Sequence, residues 1–187
     1  IVIEGMDGAG TTTQSRLLKV SIEKMGRSAH LTSEPTSHDI GKILRSYLSG
    51  KYKSKNVSAT MALLFAADRF SHFDNDIGPH LENGVDVICD RYLTSSFVYQ
   101  GLDLPAHFVS TINQYAPSPD LTIVIDVDLK TAASRRESRG NEGEIFEVPE
   151  LQEKIRQRYL KLSHQHKTAL VDGNASAAEV NSRIFEV

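Results

Sequence analysis

The sequence predicts an α/β domain, a five-stranded parallel sheet with helices on both faces. Three observations carry that expectation. Short apolar runs rich in β-branched residues recur between helical patterns along the whole chain, which is the signature of repeated βαβ units. The first run breaks into a glycine-rich turn that opens a helix. The 187 residues, 40% hydrophobic and 24% charged, suit a single globular domain with enough chain to bury a core.

Ile1–Glu4 reads as the first strand, and residues 11–25 as the first helix, stopped near Gly26. Ser28–Thr32 is a short second strand that closes at Ser33-Glu34-Pro35-Thr36, where the proline marks a turn and holds Glu34 extended. Ile40–Leu48 has helical spacing, and the lysine-rich piece Gly50–Lys55 is a polar loop. Residues 57–74 carry Met61, Leu64, Phe65, Asp68 and Arg69 at helical intervals, and Asp76–Glu82 continues helically to Asn83-Gly84. Val85–Asp90 is a buried-type strand ending on an acid. Helices over 92–100 and 105–115 lead to Pro117 and Pro119, and Leu121–Val127 is the most strongly β stretch of the chain. Leu129–Ser138 is helical. The charged segment that follows, within a lid spanning about 135–148, has few apolar anchors. Glu150–His166 is a helix, Ala169–Asp172 the last strand and Ala175–Phe185 a closing helix. No repeat or linker divides residues 1–187, and ligands are expected at the carboxyl ends of the strands.

A net charge of −3 gives no general reason to expect nucleic acid as a partner, so any basic site must be local. The single cysteine, Cys89, cannot form an internal disulfide and points to a reducing compartment. No apolar run approaches the roughly 18 residues of a membrane span. The chain opens on a strand without an initiator Met, so a few preceding residues are expected, and a cytoplasmic location is the default.

Four constellations could carry chemistry. Gly5-Met6-Asp7-Gly8-Ala9-Gly10-Thr11-Thr12-Thr13 matches the phosphate-cradling template G-x-x-x-x-G-K-[ST] in its glycines and in the Mg²⁺-binding hydroxyl position, Thr12. Its lysine position holds Thr11. A tight turn with no ligand is the competing reading. Asp7 would face the phosphates, which makes sense only with a metal, water or cation between them. Asp90-Arg91-Tyr92 ends the third strand; Asp90 could bind Mg²⁺ or simply cap the next helix. Arg91, Ser95 and Tyr99 fall at i, i+4 and i+8 and suit a phosphate with a sugar or base, or a solvated face. Phe65 and Arg69, at i and i+4, offer a ring and a guanidinium together; the alternative is a core Phe beside a surface Asp68–Arg69 pair. Arg135-Arg136-Glu137-Ser138-Arg139 could arm a closing lid or be a charged surface. The seven histidines show no H-x-x-x-H spacing, His164 and His166 read as surface, and no Ser-His-Asp or Cys-His hydrolase arrangement is visible.

The order of these elements resembles the thymidylate kinase family, P-loop nucleoside monophosphate kinases, from Ile3 to about Asp172. The resemblance rests on Glu4-Gly5-Met6-Asp7-Gly8-Ala9-Gly10, Glu34-Pro35-Thr36, Phe65-Ala66-Ala67-Asp68-Arg69, Asp90-Arg91-Tyr92 with Ser95-Ser96-Phe97-Val98-Tyr99-Gln100-Gly101, and Pro119-Asp120-Leu121 entering Ile125-Asp126-Val127. It implies a P-loop NTPase fold and transfer of a phosphoryl group from ATP to dTMP with Mg²⁺, by a cytoplasmic homodimer that binds neither nucleic acid nor membrane. By the same resemblance Phe65 stacks on thymine, Arg69 bonds the base edge and Arg91 holds the dTMP phosphate. Ser95 and Ser96 line the base pocket, Gln100 binds substrate, Tyr99 lies against the sugar, Glu34-Pro35 shapes the acceptor site, and Asp7 lies near the acceptor phosphate and deoxyribose. Some members place a catalytic arginine in the glycine loop and others in the lid. Gly8 stands at the loop position here, so Arg135, Arg136 and Arg139 become the candidates.

Thr11 is the departure. A lysine there bridges the donor phosphates in the family, and loss of one positioned donor costs roughly 10²–10³ in rate. Lid arginines with Mg²⁺ could cover the lost charge. Arg16 or Lys19, a turn or more along the same helix, could lend it. Otherwise the chain is a weak catalyst that binds nucleotides, or a kinase for another nucleoside monophosphate.

Overall fold

The computed structural model describes residues 1–52, 55–138, 145–146 and 148–187. Five parallel strands form its sheet: β1 (Val2–Gly5), β2 (Ala29–Ser33), β3 (Asp86–Asp90), β4 (Thr122–Asp126) and β5 (Thr168–Asp172), in the order β2-β3-β1-β4-β5. The expected fold class is the observed one. Central β1 is buried throughout, while edge strand β2 is half-buried at every position. That difference explains why Val2 and Ile3 of β1 follow each other as apolar residues, while β2 mixes apolar and polar ones.

The chain leaves β1 toward β2 and β3, then crosses to β4 on the other side. The connections at the carboxyl end of β1 therefore diverge and leave a crevice. Val2 pairs with Cys89 and with Thr122, and Ile3 with Asp90 and Ile123, which brings the loop after β1 beside the end of β3.

Helix α1 (Thr11–Lys24) packs with the closing helix α9 (Ala177–Phe185), and Ser21 donates to Asn181 between them. Helix α5 (Leu93–Tyr99) packs with α8 (Pro149–Leu162) and β1. The core lies between these layers, with Ile3, Ile88, Val98, Val124 and Ile155 at most 0% exposed. Helices α2 (Asp39–Leu48), α6 (Ala106–Ile112) and α7 (Leu129–Glu137) complete the shell.

Helix α3 (Val57–His72) runs through a π-turn, Phe73–Ile77, into the short α4 (Gly78–Glu82). The sequence shows a plain helical continuation here. Pro79 gives the reason for the wider turn: it lacks an N–H and its ring crowds the carbonyl four residues back. Helix α5 starts at Leu93 and is followed by a 3₁₀ turn, Gln100–Leu102, so the expected helix over 92–100 is shorter and tighter at its end.

Candidate active site

Gly8 and Gly10 adopt φ of 92° and 93°, a left-handed region that a side chain would strain. Gly10 is the N-cap of α1 and contributes no side-chain cap, so the first amides of α1 stay available to an anion. A Cβ on Gly8 would come within 2.4 Å of the Ala132 carbonyl oxygen on α7. An arginine at the loop position has no room in this packing.

Thr12 Oγ donates to Asp90 Oδ2 at 2.5 Å. The other Asp90 oxygen, Oδ1, is buried without a partner. Asp90 does not cap α5, so the capping alternative for this acid fails. The cap comes from Glu4, a fully buried acid in β1. Its Oε1 accepts the N–H of Tyr92 at 2.9 Å and of Ser95 at 3.1 Å, and its Oε2 accepts the hydroxyls of Ser95 at 2.6 Å and Tyr159 at 3.0 Å. Burial pushes the Glu4 carboxyl above its usual range, and these donors and Arg91 partly offset that.

Arg91 lies just before α5 with φ of 68°, a conformation uncommon outside glycine and concentrated at functional sites. Its guanidinium donates to Asp7 at 2.6 Å, to Tyr159 at 3.1 Å, to Tyr99 at 3.2 Å and to Ser95 at 3.4 Å. The predicted Arg91–Ser95–Tyr99 stripe therefore forms, although Arg91 is outside the helix. Burial disfavours the cation, but Tyr99, Asp7 and Tyr159 outweigh burial and raise its pKa. Burial also raises the Tyr99 phenol, which keeps the proton it donates to Asp7 Oδ2 at 3.2 Å.

The surface-pair alternative for Arg69 also fails, because Arg69 is 1% exposed. Its Nη2 donates to Glu34 at 2.8 Å, Ser96 at 3.0 Å and the Tyr92 carbonyl at 3.1 Å, and its Nη1 donates to Asn113. Its Nε is buried without a partner. Asp68 is spent on Thr36, accepting from its backbone N–H and its hydroxyl.

These groups share a cavity of about 490 Å³, within the size range of ligand pockets. Its lining includes Asp7, Thr12, Asp90, Arg91 and Tyr99 from the loop and Arg91 cluster, and Glu34, Pro35, Phe65, Arg69, Ser96 and Gln100 from around Arg69. Gly5, Ala9 and Thr13 belong to the loop and first helical turn beside it.

Thr11 lines the cavity too, and so does exposed Arg16, one turn beyond Thr12. Lys19, by contrast, is paired with Glu23 on the surface. Arg135 and Arg136 brace the loop from behind. Arg135 donates to the carbonyls of Ala9 at 3.3 Å, Gly173 at 3.0 Å and Ala175 at 3.2 Å, and Arg136 donates to that of Asp7 at 2.6 Å. Arg139 lies outside the described residues, as do 140–144 and 147. Phe146 lines the cavity edge-on to Tyr99, with ring centroids 5.1 Å apart. The neighbouring Ile145 N–H donates to the Leu48 carbonyl.

Sequence reasoning missed Glu4, Tyr159, Asn113 and Phe146; of the two helix cations it offered, Arg16 lines the cavity and Lys19 does not. For Glu4 a signal existed: an acid at the buried carboxyl end of an apolar strand needs partners.

Comparison with known proteins matches residues 3–184 to the family model described as thymidylate kinase. A probable thymidylate kinase of Pyrococcus abyssi is 42% identical, over 98% of this chain and 92% of that protein. One from Methanocaldococcus jannaschii is 39% identical, over 99% and 93%. One from Methanococcus maripaludis strain C7 is 48% identical, over 87% and 76%. The glycine loop, the Asp90–Gln100 stretch and the Phe65–Arg69 pair thus sit in a match that spans nearly the entire chain, and the chain belongs to the thymidylate kinase family.

Proposed function

We propose that the chain transfers the γ-phosphoryl group of ATP to the phosphate of dTMP, giving dTDP and ADP. One observation supports this most: the Thr12–Asp90 pair, the Arg91 cluster and the Phe65–Arg69 pocket open into a single cavity. That spacing suits a nucleoside monophosphate, with its base at Phe65 and Arg69 and its phosphate at Arg91. A thymine carbonyl beside Arg69 would satisfy the unpartnered Nε–H, and the Ser96 hydroxyl and Gln100 would border the ring.

The attacking group is an oxygen of the dTMP phosphate, already anionic, so the protein need not supply a nucleophile or abstract a proton. A bond forms from that oxygen to the γ-phosphorus as the bond to the ADP leaving oxygen breaks. The chain contributes position and charge. Arg91, fixed by Asp7 and the two tyrosines, holds the acceptor phosphate. The uncapped α1 amides receive the donor phosphates. Thr12 and Asp90 are the groups that would hold Mg²⁺, and the unpaired Asp90 Oδ1 suits that hard cation. When bound, Mg²⁺ neutralises phosphate charge. Arg135 and Arg136 keep the glycine loop in shape, and Arg16 supplies the cation that Thr11 cannot.

The working unit is proposed to be a cytoplasmic homodimer. No helix among the described residues is long and apolar enough to cross a membrane.

An ADP-release assay with dTMP, dUMP, CMP, GMP and AMP tests the substrate. The highest kcat/KM is expected with dTMP. Turnover with another monophosphate and none with dTMP would overturn the reading.

A further inference from the structure

Among the described residues, one cluster of metal-ligating side chains lies away from the nucleotide cavity. It joins His30 of edge strand β2, Asp76 of the π-turn and His80 of α4, and one ligand atom from each lies within 4.8 Å of the other two. None of the three lines the cavity. Leu31, the next residue on β2, does line it, and strand alternation turns the His30 side chain to the opposite face of the sheet from Leu31. No H-x-x-x-H spacing signals this cluster in the sequence, because one histidine comes from the neighbouring strand and the other follows an aspartate at i+4.

The ligand atoms are prepared in three ways. His80 Nδ1 lies 2.7 Å from the Asp76 carbonyl oxygen. A carbonyl only accepts, so Nδ1 donates there and Nε2 is the nitrogen left for a metal. Backbone carbonyls anchor metal-binding histidines in this way. His30 Nε2 is 2.9 Å from Asp76 Oδ1 yet is buried without a hydrogen-bond partner. The two imidazoles stack, with centroids 3.7 Å apart and planes 7° off parallel. The neutral imidazole is the form that binds metal. Behind the carboxylate, His72 Nε2 lies 3.4 Å from Asp76 Oδ2 and 2.7 Å from the Thr32 hydroxyl, which steadies Asp76 from the inner side.

We propose that His30, Asp76 and His80 bind one divalent transition-metal ion of the zinc class. Two imidazoles and a carboxylate suit Zn²⁺, Co²⁺, Ni²⁺ or Cu²⁺, whereas Mg²⁺ takes oxygen ligands, so this ion does not compete for the nucleotide's metal. Stacked in parallel, the two rings do not both aim a nitrogen at one ion. An ion must lie near both ring planes, so binding turns at least one ring about its Cβ–Cγ bond. With side chains 29% and 37% exposed, His30 and His80 are free to make that turn.

The test is a Co²⁺ titration of the untagged, chelator-treated chain without nucleotide, followed by Zn²⁺ and then excess Mg²⁺. One equivalent of Co²⁺ should bind, with visible ligand-field bands that Zn²⁺ abolishes and Mg²⁺ leaves unchanged. His30→Gln and His80→Gln should each weaken Co²⁺ binding at least tenfold, while far-ultraviolet circular dichroism and Mg²⁺-supported turnover stay at the wild-type level. The proposal is overturned by the absence of saturable Co²⁺ binding, by equal affinity in the His30→Gln/His80→Gln double variant, or by displacement with Mg²⁺.

Discussion

At the scale of single residues, the missing loop lysine is the sharpest question, and among the described residues geometry narrows it to a few cations. Arg135 and Arg136 spend donors on backbone carbonyls behind the loop, and Lys19 pairs with Glu23. Arg91 is proposed to hold the acceptor phosphate. Arg16 is exposed and lines the cavity from the helix that Thr11 begins. A guanidinium that meets the donor phosphates mainly as charge moves to the leaving oxygen acts on kcat more than on KM. Arg16→Ala is therefore expected to lower kcat roughly 10²–10³-fold, the scale of one lost transition-state donor. Its KM for dTMP should change little, because Arg91 and Arg69 are untouched. Adding Thr11→Lys to Arg16→Ala should restore much of the loss. Steady-state kinetics of the single and double variants decide it: near-normal kcat in Arg16→Ala would remove Arg16 from the mechanism.

Elements show the same economy of partners, since helix ends here are satisfied from near and far. Helix α5 has no side-chain cap of its own and takes Glu4 from β1. Helix α9 has a full capping box: Ser176 and Glu179 bond each other's backbone and side chains. Those bonds from Ser176 hold the Glu179 carboxyl below its usual range. An acid with a depressed folded-state pKa contributes stability above its unfolded value, about 4.3, and loses it as pH falls through the depressed value. Glu179→Gln removes that titration. The variant should be less stable than wild type at neutral pH, and the gap should close below about pH 4. Thermal unfolding at neutral and acidic pH measures it, and a constant gap would show that the box does not depend on the charge. Element boundaries were legible in the sequence wherever period and punctuation agree, as in β4 and α1. The π-turn was not, because Pro79 interrupts a pattern whose apolar spacing looks continuous.

At the scale of the whole molecule, what the sequence could and could not reveal divides by contact range. Asp90 through Gln100 reads as a site because its groups meet within two helical turns. Glu4 reaches Tyr159 across 155 positions and Arg69 reaches Asn113 across 44, pairings that only the folded sheet creates. The proposed homodimer needs a surface of its own. Helix α3 turns Phe65 and Arg69 toward the cavity, while Leu63, Ala67 and Phe70, at i, i+4 and i+7, form an apolar stripe on its other side. Leu63 is 52% exposed. A two-fold axis beside this stripe would bring two copies together, each Leu63 contributing about 1 kcal/mol because half its surface is already covered. A carboxylate there would have to be desolvated on assembly, which costs more than the leucine contributes. Light scattering on the wild-type chain should give twice its 20.7 kDa. Leu63→Glu should give the monomer mass with an unchanged circular dichroism spectrum. A wild-type monomer at tens of micromolar would end the homodimer reading, and a dimer that survives Leu63→Glu would move the interface off α3.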